Sequence, residues 1–388
     1  MKLISRILFI ILPLSICAQS SLVQSIEEGL ENPENVKEIY LSGNQVKSYD
    51  GLEKLYLLEK LTIVDANINS IPSQIFKLKE LKEIRISHSN IKILPKSLES
   101  LTKLKKLSIT YSKLEKIDCN LSKIKLTEID LIENNLKKIE LSNFISSETI
   151  SLDLSSNPIE DINHQNPETS NLRIISLRKI GIKQFPSFVT FYKSLESLDL
   201  SGNTFNTIPQ TIGNLTSLHF LGLNRCELIS LPDRIGNLDK LTWLAVNQNN
   251  LTELPNSICN LKKLQYLMAS RNNLENIPKC INKITNLTKL VLDNNSISSI
   301  PKSLVILEKL SQLELTNNKV KRIPNKLFSS LSLSSIQLKN NLIRKLSRNV
   351  FKADKLRVLN LSKNKIKKGN KKKILELSKN QNRLTIHI

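Results

Sequence analysis

Leucine and isoleucine recur along this chain with a period of 22 or 23 residues. Each period carries the pattern L-x-x-L-x-L-x-x-N-x-L, for example with Leu195, Leu198, Leu200, Asn203 and Phe205. Such a repeat indicates a solenoid, because a single unit can bury its apolar side only against its neighbours. The first apolar position of the fifteen copies is held by Val36, Leu58, Leu81, Leu104, Leu126, Thr149, Leu172, Leu195, Leu218, Leu241, Leu264, Leu287, Leu310, Leu333 and Leu356.

The positions within one copy predict different local structures. The L-x-L segment predicts a short parallel strand whose alternate side chains point into the coil. The Asn can turn the chain and hydrogen-bond carbonyl groups of the adjacent coil, which predicts a ladder along the stack. Cys226 replaces the Asn once, and four departures predict a weaker ladder in the first half of the chain. These departures are Ala66, Ser89, Ser112 and Ile180.

A proline follows the last apolar position by four residues in nine copies and precedes x-x-I-x-x-L, as in Pro209–Leu215. Proline fixes φ and lacks an N–H donor. The segment around the proline is therefore predicted to be extended and then helical for one turn, and not to form a strand. The copies that begin at Leu104, Leu126 and Thr149 lack the proline, and residues 160–171 are unusually polar. We therefore expect a less regular middle without a domain boundary.

The repeats resemble the leucine-rich-repeat superfamily over residues 36–366, and the flanks resemble those of secreted bacterial members of spirochaete and Bacteroidetes type. The resemblance implies an α/β repeat fold, a solenoid curved like a horseshoe. Its parallel β-sheet would be concave and its convex side irregular or short-helical. The resemblance also implies an N-terminal cap helix within residues 19–35, a basic cap at residues 367–388, and ligand binding on the concave sheet.

Residues 1–18 are typical of an export signal. Lys2 and Arg6 precede an apolar run that is too short to span a bilayer, and cleavage is expected after Ala18. An uncleaved anchor is one alternative. Lipidation at Cys17 is another, because the tetrapeptide ending there resembles a lipobox, although a bulky Ile stands where a small residue is usual. No later segment is apolar enough to cross a membrane, so we expect a secreted or envelope protein.

Charge is concentrated at one end of the chain. The formal net charge is +22, and residues 339–388 carry sixteen Lys or Arg against Asp354 and Glu376. A basic C-terminal patch could attract an anionic surface, or it could be the solvated side of a capping helix. No nucleic-acid-binding module is recognisable. The patch comprises Lys367, Lys368, Lys371, Lys372 and Lys373.

Three aromatic residues occupy one repeat position in consecutive copies: Phe220, Trp243 and Tyr266. They are predicted to lie side by side on the concave face. Aromatic residues with arginine nearby are typical of interface hot spots, although cross-strand aromatics can also simply stabilise a sheet. The predicted binding surface adds Met268, Val291, Arg225 and Arg271, and a weaker candidate comprises Arg85, His88, Lys106 and Tyr111.

No pattern in the chain predicts catalysis, a metal site or a cofactor. The four His lie in different copies or flanks. Asp130, Asp153 and Asp199 share one outward position, but an open sheet offers carboxylates no pocket that excludes water. The cysteines lack zinc-site spacing. Cys259 and Cys280 lie on adjacent coils two positions out of step, which disfavours a disulfide without deciding whether they pair.

These patterns support a hypothesis of an exported recognition protein, not an enzyme, that binds a protein ligand. The ligand would be a protein on another cell's surface. The alternative is an envelope scaffold held by its basic C-terminal end.

Overall fold

The computed structural model describes residues 21–43, 46–163, 170–378 and 383–388. The predicted export signal, with the alternative lipidation position Cys17, lies outside the described residues. So do Asn44 of the predicted ladder and His164.

One parallel sheet of seventeen strands runs along the described chain. Each of the fifteen copies contributes one strand, and β1 and β21 extend the sheet at its two ends. The first strands are β1 (Leu22–Val23), β2 (Glu38–Ser42), β3 (Lys60–Val64), β4 (Glu83–Ser87), β5 (Ile93–Leu94), β6 (Lys106–Thr110), β7 (Lys116–Ile117), β8 (Glu128–Asp130), β9 (Lys138–Glu140), β10 (Ser151–Asp153) and β11 (Asp161–Asn163). The remaining strands are β12 (Ile174–Ser176), β13 (Ser197–Asp199), β14 (Phe220–Gly222), β15 (Trp243–Ala245), β16 (Tyr266–Met268), β17 (Lys289–Val291), β18 (Gln312–Glu314), β19 (Ser335–Gln337), β20 (Val358–Asn360) and β21 (Thr385–His387).

The register of the sheet follows the sequence repeat. Leu221, Leu244 and Leu267 are successive Cα partners, and all three are fully buried. Their side chains point into the coil, where the repeat leucines and isoleucines form one continuous apolar core along the stack. The predicted solenoid with a parallel sheet is therefore confirmed.

The side opposite the sheet consists mainly of single 3-10 turns. Most of these turns follow the predicted proline directly, and Pro209 and Pro255 have φ values of −71° and −62°. The turns are bulkier than strands, so the sheet forms the concave side. They span Leu52–Lys54, Ser73–Lys77, Lys96–Ser100, Leu141–Asn143, Ser187–Phe191, Gln210–Asn214, Asp233–Asn237, Asn256–Asn260, Ile281–Lys283, Lys302–Ile306, Asn325–Ser329 and Arg348–Lys352.

The middle coils depart from this pattern. The short α-helix α2 (Leu121–Ile124) replaces a 3-10 turn, and two-stranded parallel sheets form between β5 and β7 and between β9 and β11. The limbs of β7, β9 and β11 belong to the copies without proline, so they keep the N–H donors that pairing needs. For example, Asp118 holds the position that Pro95 holds in the preceding copy, and its N–H donates to the carbonyl of Leu94 at 2.9 Å.

Helices accompany the two ends of the sheet. At the N-terminal end, α1 (Ile26–Glu31) begins after Ser25, whose hydroxyl accepts from the N–H of Glu28 at 3.0 Å. At the other end, α3 (Lys368–Ser378) precedes β21. Ile26 and Ile374 are buried, so each helix covers apolar surface that the last coil would otherwise expose.

The asparagines at the repeat position link the coils, as their position predicts. Nδ2 of Asn272 donates to the carbonyl of Ala269 in its own coil at 3.1 Å and to that of Val246 in the preceding coil at 2.9 Å. Its Oδ1 accepts from the N–H of Leu251 at 3.0 Å. Where Asn is replaced, Cys226 donates through its thiol to the carbonyl of Leu200, and the hydroxyls of Ser89 and Ser112 lie 2.9 Å apart.

Cys259 and Cys280 form a disulfide, with their Cα atoms 5.9 Å apart. The expectation against pairing was wrong because it assumed that the 23-residue register of the sheet also holds on the convex side. There, residues 21 apart are neighbours. A Cβ added to Gly236 would meet the carbonyl oxygen of Ser257, and Cys259 holds the position of Gly236 in the next coil.

Replacing Asn272 with Ala should lower the free energy of unfolding by about 1–3 kcal/mol, because a buried N–H and two carbonyls lose their partner. Asn276→Ala in the same coil is the control, since Asn276 is exposed. Urea unfolding of both variants measures the difference. Equal stability of the two variants would show that the ladder contributes little.

Removing the disulfide with C259A/C280A should lower the free energy of unfolding by about 3 kcal/mol, the entropy expected for a loop of this length. The native protein should lose similar stability when it is reduced. The variant provides the control, because a reducing agent should leave its urea midpoint unchanged. A midpoint of the native protein that is insensitive to reduction would contradict the bond.

Candidate ligand-binding surface

The three predicted aromatic residues form one row on the concave face. Phe220, Trp243 and Tyr266 are successive Cα partners on β14, β15 and β16. The Trp243 and Tyr266 rings stack with centroids 4.7 Å apart, and the Phe220 and Trp243 centroids lie 6.2 Å apart. All three side chains are half-buried. We call this row the aromatic platform.

Small residues lie beside the platform in the next outward row of the sheet. A Cβ added to Gly222 would lie 2.5 Å from Oδ1 of Asp199 and 3.0 Å from Cε1 of Phe220, so the glycine leaves room for the Asp199 carboxylate and for the Phe220 ring. Ala245 occupies the same row and is only 5% exposed. A larger side chain at Gly222 would displace the Asp199 carboxylate first and the Phe220 ring as well, so the surface beside Phe220 stays low.

The other predicted residues differ in what they can offer a ligand. Met268 is half-buried beside the platform, whereas Val291 is only 6% exposed and provides almost no contact surface. Lys289 lies on the same strand as Val291, and Glu314 is the Cα partner of Val291. The side chains of Lys289 and Glu314 form an ion pair at 2.8 Å. Val291 is therefore a poor contact residue, although its row faces outward as expected.

Arg225 and Arg271 lie at the ends of the platform strands, and both are exposed. Each has a positive φ, 55° and 57°, as does Gln248 between them at 58°. Nε of Arg225 donates to Oε1 of Gln248, which links two coils at this edge. The structure thus supplies guanidinium groups along one side of the platform.

A carboxylate pair next to the platform was not predicted. Burial, together with the charge of Glu314, raises the pKa of Asp293 to about 6, while Oδ1 of Asp293 accepts from the N–H of Thr316 at 2.5 Å. The side chains of Asp293 and Glu314 lie on adjacent coils. The only sequence signal was two acidic residues 21 apart in outward positions.

The weaker candidate divides into paired residues. The rings of His88 and Tyr111 stack in parallel with centroids 5.0 Å apart, and Nδ1 of His88 lies 3.8 Å from Oδ1 of Asp65. Arg85 pairs with Glu83, and Lys106 pairs with Glu128. The contact between His88 and Tyr111 was not predicted, although their spacing of 23 residues places them on neighbouring coils.

The outward aspartates have structural roles in their turns. Asp130 and Asp153 are Cα partners, and Ser176 separates Asp153 from Asp199. Oδ1 of Asp153 accepts from the N–H of Ser155 at 2.9 Å, and Asp130 and Asp199 make the equivalent bond. Burial raises the pKa of both Asp130 and Asp153. No cluster that could hold a metal ion occurs among the described His, Cys, Asp and Glu residues.

The structure separates the predicted basic patch into two sets. Lys367 and Lys373 line a groove, whereas Lys368, Lys371 and Lys372 are exposed outside its lining. Within the described chain, no helix is both long and apolar enough to span a membrane.

Three family models match the chain. A model described as a leucine-rich repeat region matches residues 210–332, and two further models described as leucine-rich repeat match residues 56–114 and 194–215. These matches coincide with the observed coils. The chain belongs to the leucine-rich-repeat superfamily. No curated protein matches it in sequence.

Several solved structures are similar to this leucine-rich-repeat protein. A leucine-rich-repeat protein of Leptospira interrogans is 24% identical, with a TM-score of 0.86 over 95% of this chain and 99% of the other. An internalin of Listeria monocytogenes is 23% identical, with a TM-score of 0.64 over 84% and 87%. A structure of the Drosophila Toll–Spatzle complex is 20% identical, with a TM-score of 0.73 over 88% and 49%. At these identities the likeness concerns the fold.

Asp293→Asn should raise the free energy of unfolding at pH 7.5 and leave it nearly unchanged at pH 4. The folded protein holds the Asp293 proton more tightly than the unfolded chain, because its pKa of about 6 exceeds the ordinary 3.8. The Asp293 carboxyl group therefore contributes to the free energy of unfolding below pH 4, and this contribution is lost as the pH rises through 6. Urea unfolding of both proteins from pH 4 to 8 tests this. A difference independent of pH would contradict it.

Proposed function

We propose that this protein is an exported recognition protein whose aromatic platform binds a protein ligand. The observation that carries the proposal is the row of three neighbouring aromatic side chains on the concave sheet, each of which is half-buried and keeps part of its surface exposed. A partner that covers Phe220, Trp243 and Tyr266 would remove their remaining apolar area from water, which is the typical contribution of an interface hot spot.

A purely structural role explains the platform less well. The same row holds Ser197 before the platform and Lys289, Gln312 and Ser335 after it, on strands that pair in the same register. The sheet therefore forms without aromatic side chains at this position. The concentration of the three rings in consecutive coils favours a role in binding.

Two observations support export. The sequence begins with a charged segment and a short apolar run, as in a cleaved signal. The disulfide between Cys259 and Cys280 is a bond that persists in oxidising compartments and is rare in the cytosol. The named Toll–Spatzle complex provides an analogy for protein binding by a chain of similar fold.

The second candidate function is an envelope scaffold held by its basic C-terminal end. Lys371 and Lys372 on α3 are exposed and could meet an anionic surface. Cell fractionation separates the two proposals. Protein that stays with the envelope until high salt releases it would favour the scaffold, and mature protein in the culture medium would favour the recognition protein.

Trp243→Ala should weaken binding of a protein partner by about 2 kcal/mol, or roughly thirtyfold, because this ring lies at the centre of the platform. Its effect on the thermal midpoint should be small, since the side chain lies outside the core. Mature protein, residues 19–388, would capture partners from surface-protein extracts. Calorimetric titration of each purified partner would then give the affinity.

Ile306→Ala is the matched control, because it removes an exposed apolar side chain from the convex side. Its affinity should equal that of the native protein. If Trp243→Ala lowers the thermal midpoint and leaves the affinity for every purified partner unchanged, the rings serve only to stabilise the sheet.

A further inference from the structure

A basic groove lies at the C-terminal end of the stack, away from the aromatic platform. Its volume is about 1430 Å³. It is lined by the segments that follow β18, β19 and β20 and by the first turns of α3. Among the described residues that line it there is neither a carboxylate nor an aromatic side chain. We call it the basic groove. Eight cationic residues line it: Lys321, Arg322, Arg344, Lys345, Arg348, Lys365, Lys367 and Lys373.

The cations of the groove are arranged in rows along the stack. Lys321, Arg344 and Lys367 hold the same position in three consecutive coils, 23 residues apart. The backbone N–H of Lys367 donates to the carbonyl of Arg344 at 3.2 Å, so these coils are in direct contact. Arg322 and Lys345 form a second row beside the first. Like charges on adjacent coils repel, so this arrangement costs stability unless an anion is bound.

The fold does not require cations at these positions. The residues equivalent to Lys321 in the three preceding coils are Ser298, Glu275 and Thr252. They make the same backbone hydrogen bonds from coil to coil, for example from Ser298 N–H to the carbonyl of Glu275 at 3.3 Å. A neutral or an acidic side chain is therefore compatible with the packing, and the positive rows must have another explanation.

The charge of the groove is also uncompensated. Among the ion pairs of the described residues, none involves any of the eight cations. In the N-terminal half, by contrast, Lys103 pairs with Glu80 at 2.6 Å and Lys82 pairs with Glu59 at 2.7 Å. The first turn of α3 contains no acidic residue, so the partial positive charge of the helix end adds to the field. The groove therefore keeps a strong positive potential available for a ligand.

We propose that the basic groove binds a linear anionic polysaccharide through its sulfate groups. Guanidinium groups such as those of Arg322 and Arg344 form paired hydrogen bonds with such oxyanions. Rows that repeat along the stack match a ligand whose charges repeat along a chain. Single-stranded nucleic acid would need aromatic side chains for base stacking, and the groove has none. A flat bilayer surface fits a groove poorly.

The full mature chain provides the test, with fluorescein-labelled dextran sulfate and unmodified dextran of equal length as probes. Anisotropy should show binding of dextran sulfate that weakens steeply with salt, and no binding of dextran. The variant K321S/R344S/K367S introduces the serine of the preceding coil into one whole row. It should weaken binding by about tenfold or more, because three of the eight cations are lost.

The matched control is K240S/K262S/K263S, which removes the same charge from exposed lysines outside the groove. It should weaken binding by less than about threefold, since only the long-range field changes. The charge-retaining variant K321R/K367R should bind as the native protein does. This result would show that the serine variant binds dextran sulfate more weakly because it has lost charge in the row, and not because it folds differently. Thermal midpoints of all variants are measured alongside.

Equal weakening by the two triple variants would overturn the proposal, as would equal binding of unmodified dextran. Tighter binding of a single-stranded oligonucleotide than of dextran sulfate would favour nucleic acid instead. Groove-dependent binding of phosphatidylglycerol vesicles, without binding of dextran sulfate, would favour lipid. Trp243→Ala should leave dextran sulfate binding unchanged, so failure of the groove proposal and failure of the platform proposal are distinguishable.

Discussion

A buried asparagine side chain in most coils is the interaction on which the structure depends. Each coil must turn away from its strand inside an apolar core, where unpaired backbone groups are costly. The amide of Asn272 satisfies two carbonyls and one N–H that belong to two coils. It therefore fixes both the turn within a coil and the distance to the next coil. The leucine core can then pack in the same way in each repeat.

Because of this constraint, residues that are one repeat apart in the sequence are neighbours in space. A residue that faces outward on one strand lies beside its equivalent on the next, so a row of similar residues becomes a continuous surface. The aromatic platform and the basic groove are both such rows, one on the concave sheet and one on the limbs that leave it. The protein thus carries two chemically different surfaces on one regular scaffold, and neither alters the core.

The predictions succeeded where the repeat determines the environment of a residue. The parallel sheet, the 3-10 turns after proline and the asparagine ladder are all present, because each depends on a local pattern and on contact with an identical neighbour. The predictions failed where the register changes or a side chain is covered. Cys259 and Cys280 pair because convex residues 21 apart are adjacent, and Val291 is covered although its row faces outward.

The sequence by itself determined the repeat, the strand positions, the residues that point inward and the row that contains Phe220, Trp243 and Tyr266. Period and polarity suffice for these features, since every coil packs against a copy of itself. Only the tertiary structure decided the groove that collects cations from three coils, the disulfide and the raised pKa of Asp293. Those features depend on side-chain direction, on burial and on the offset between neighbouring coils, which vary around the coil and are not encoded in the repeat period.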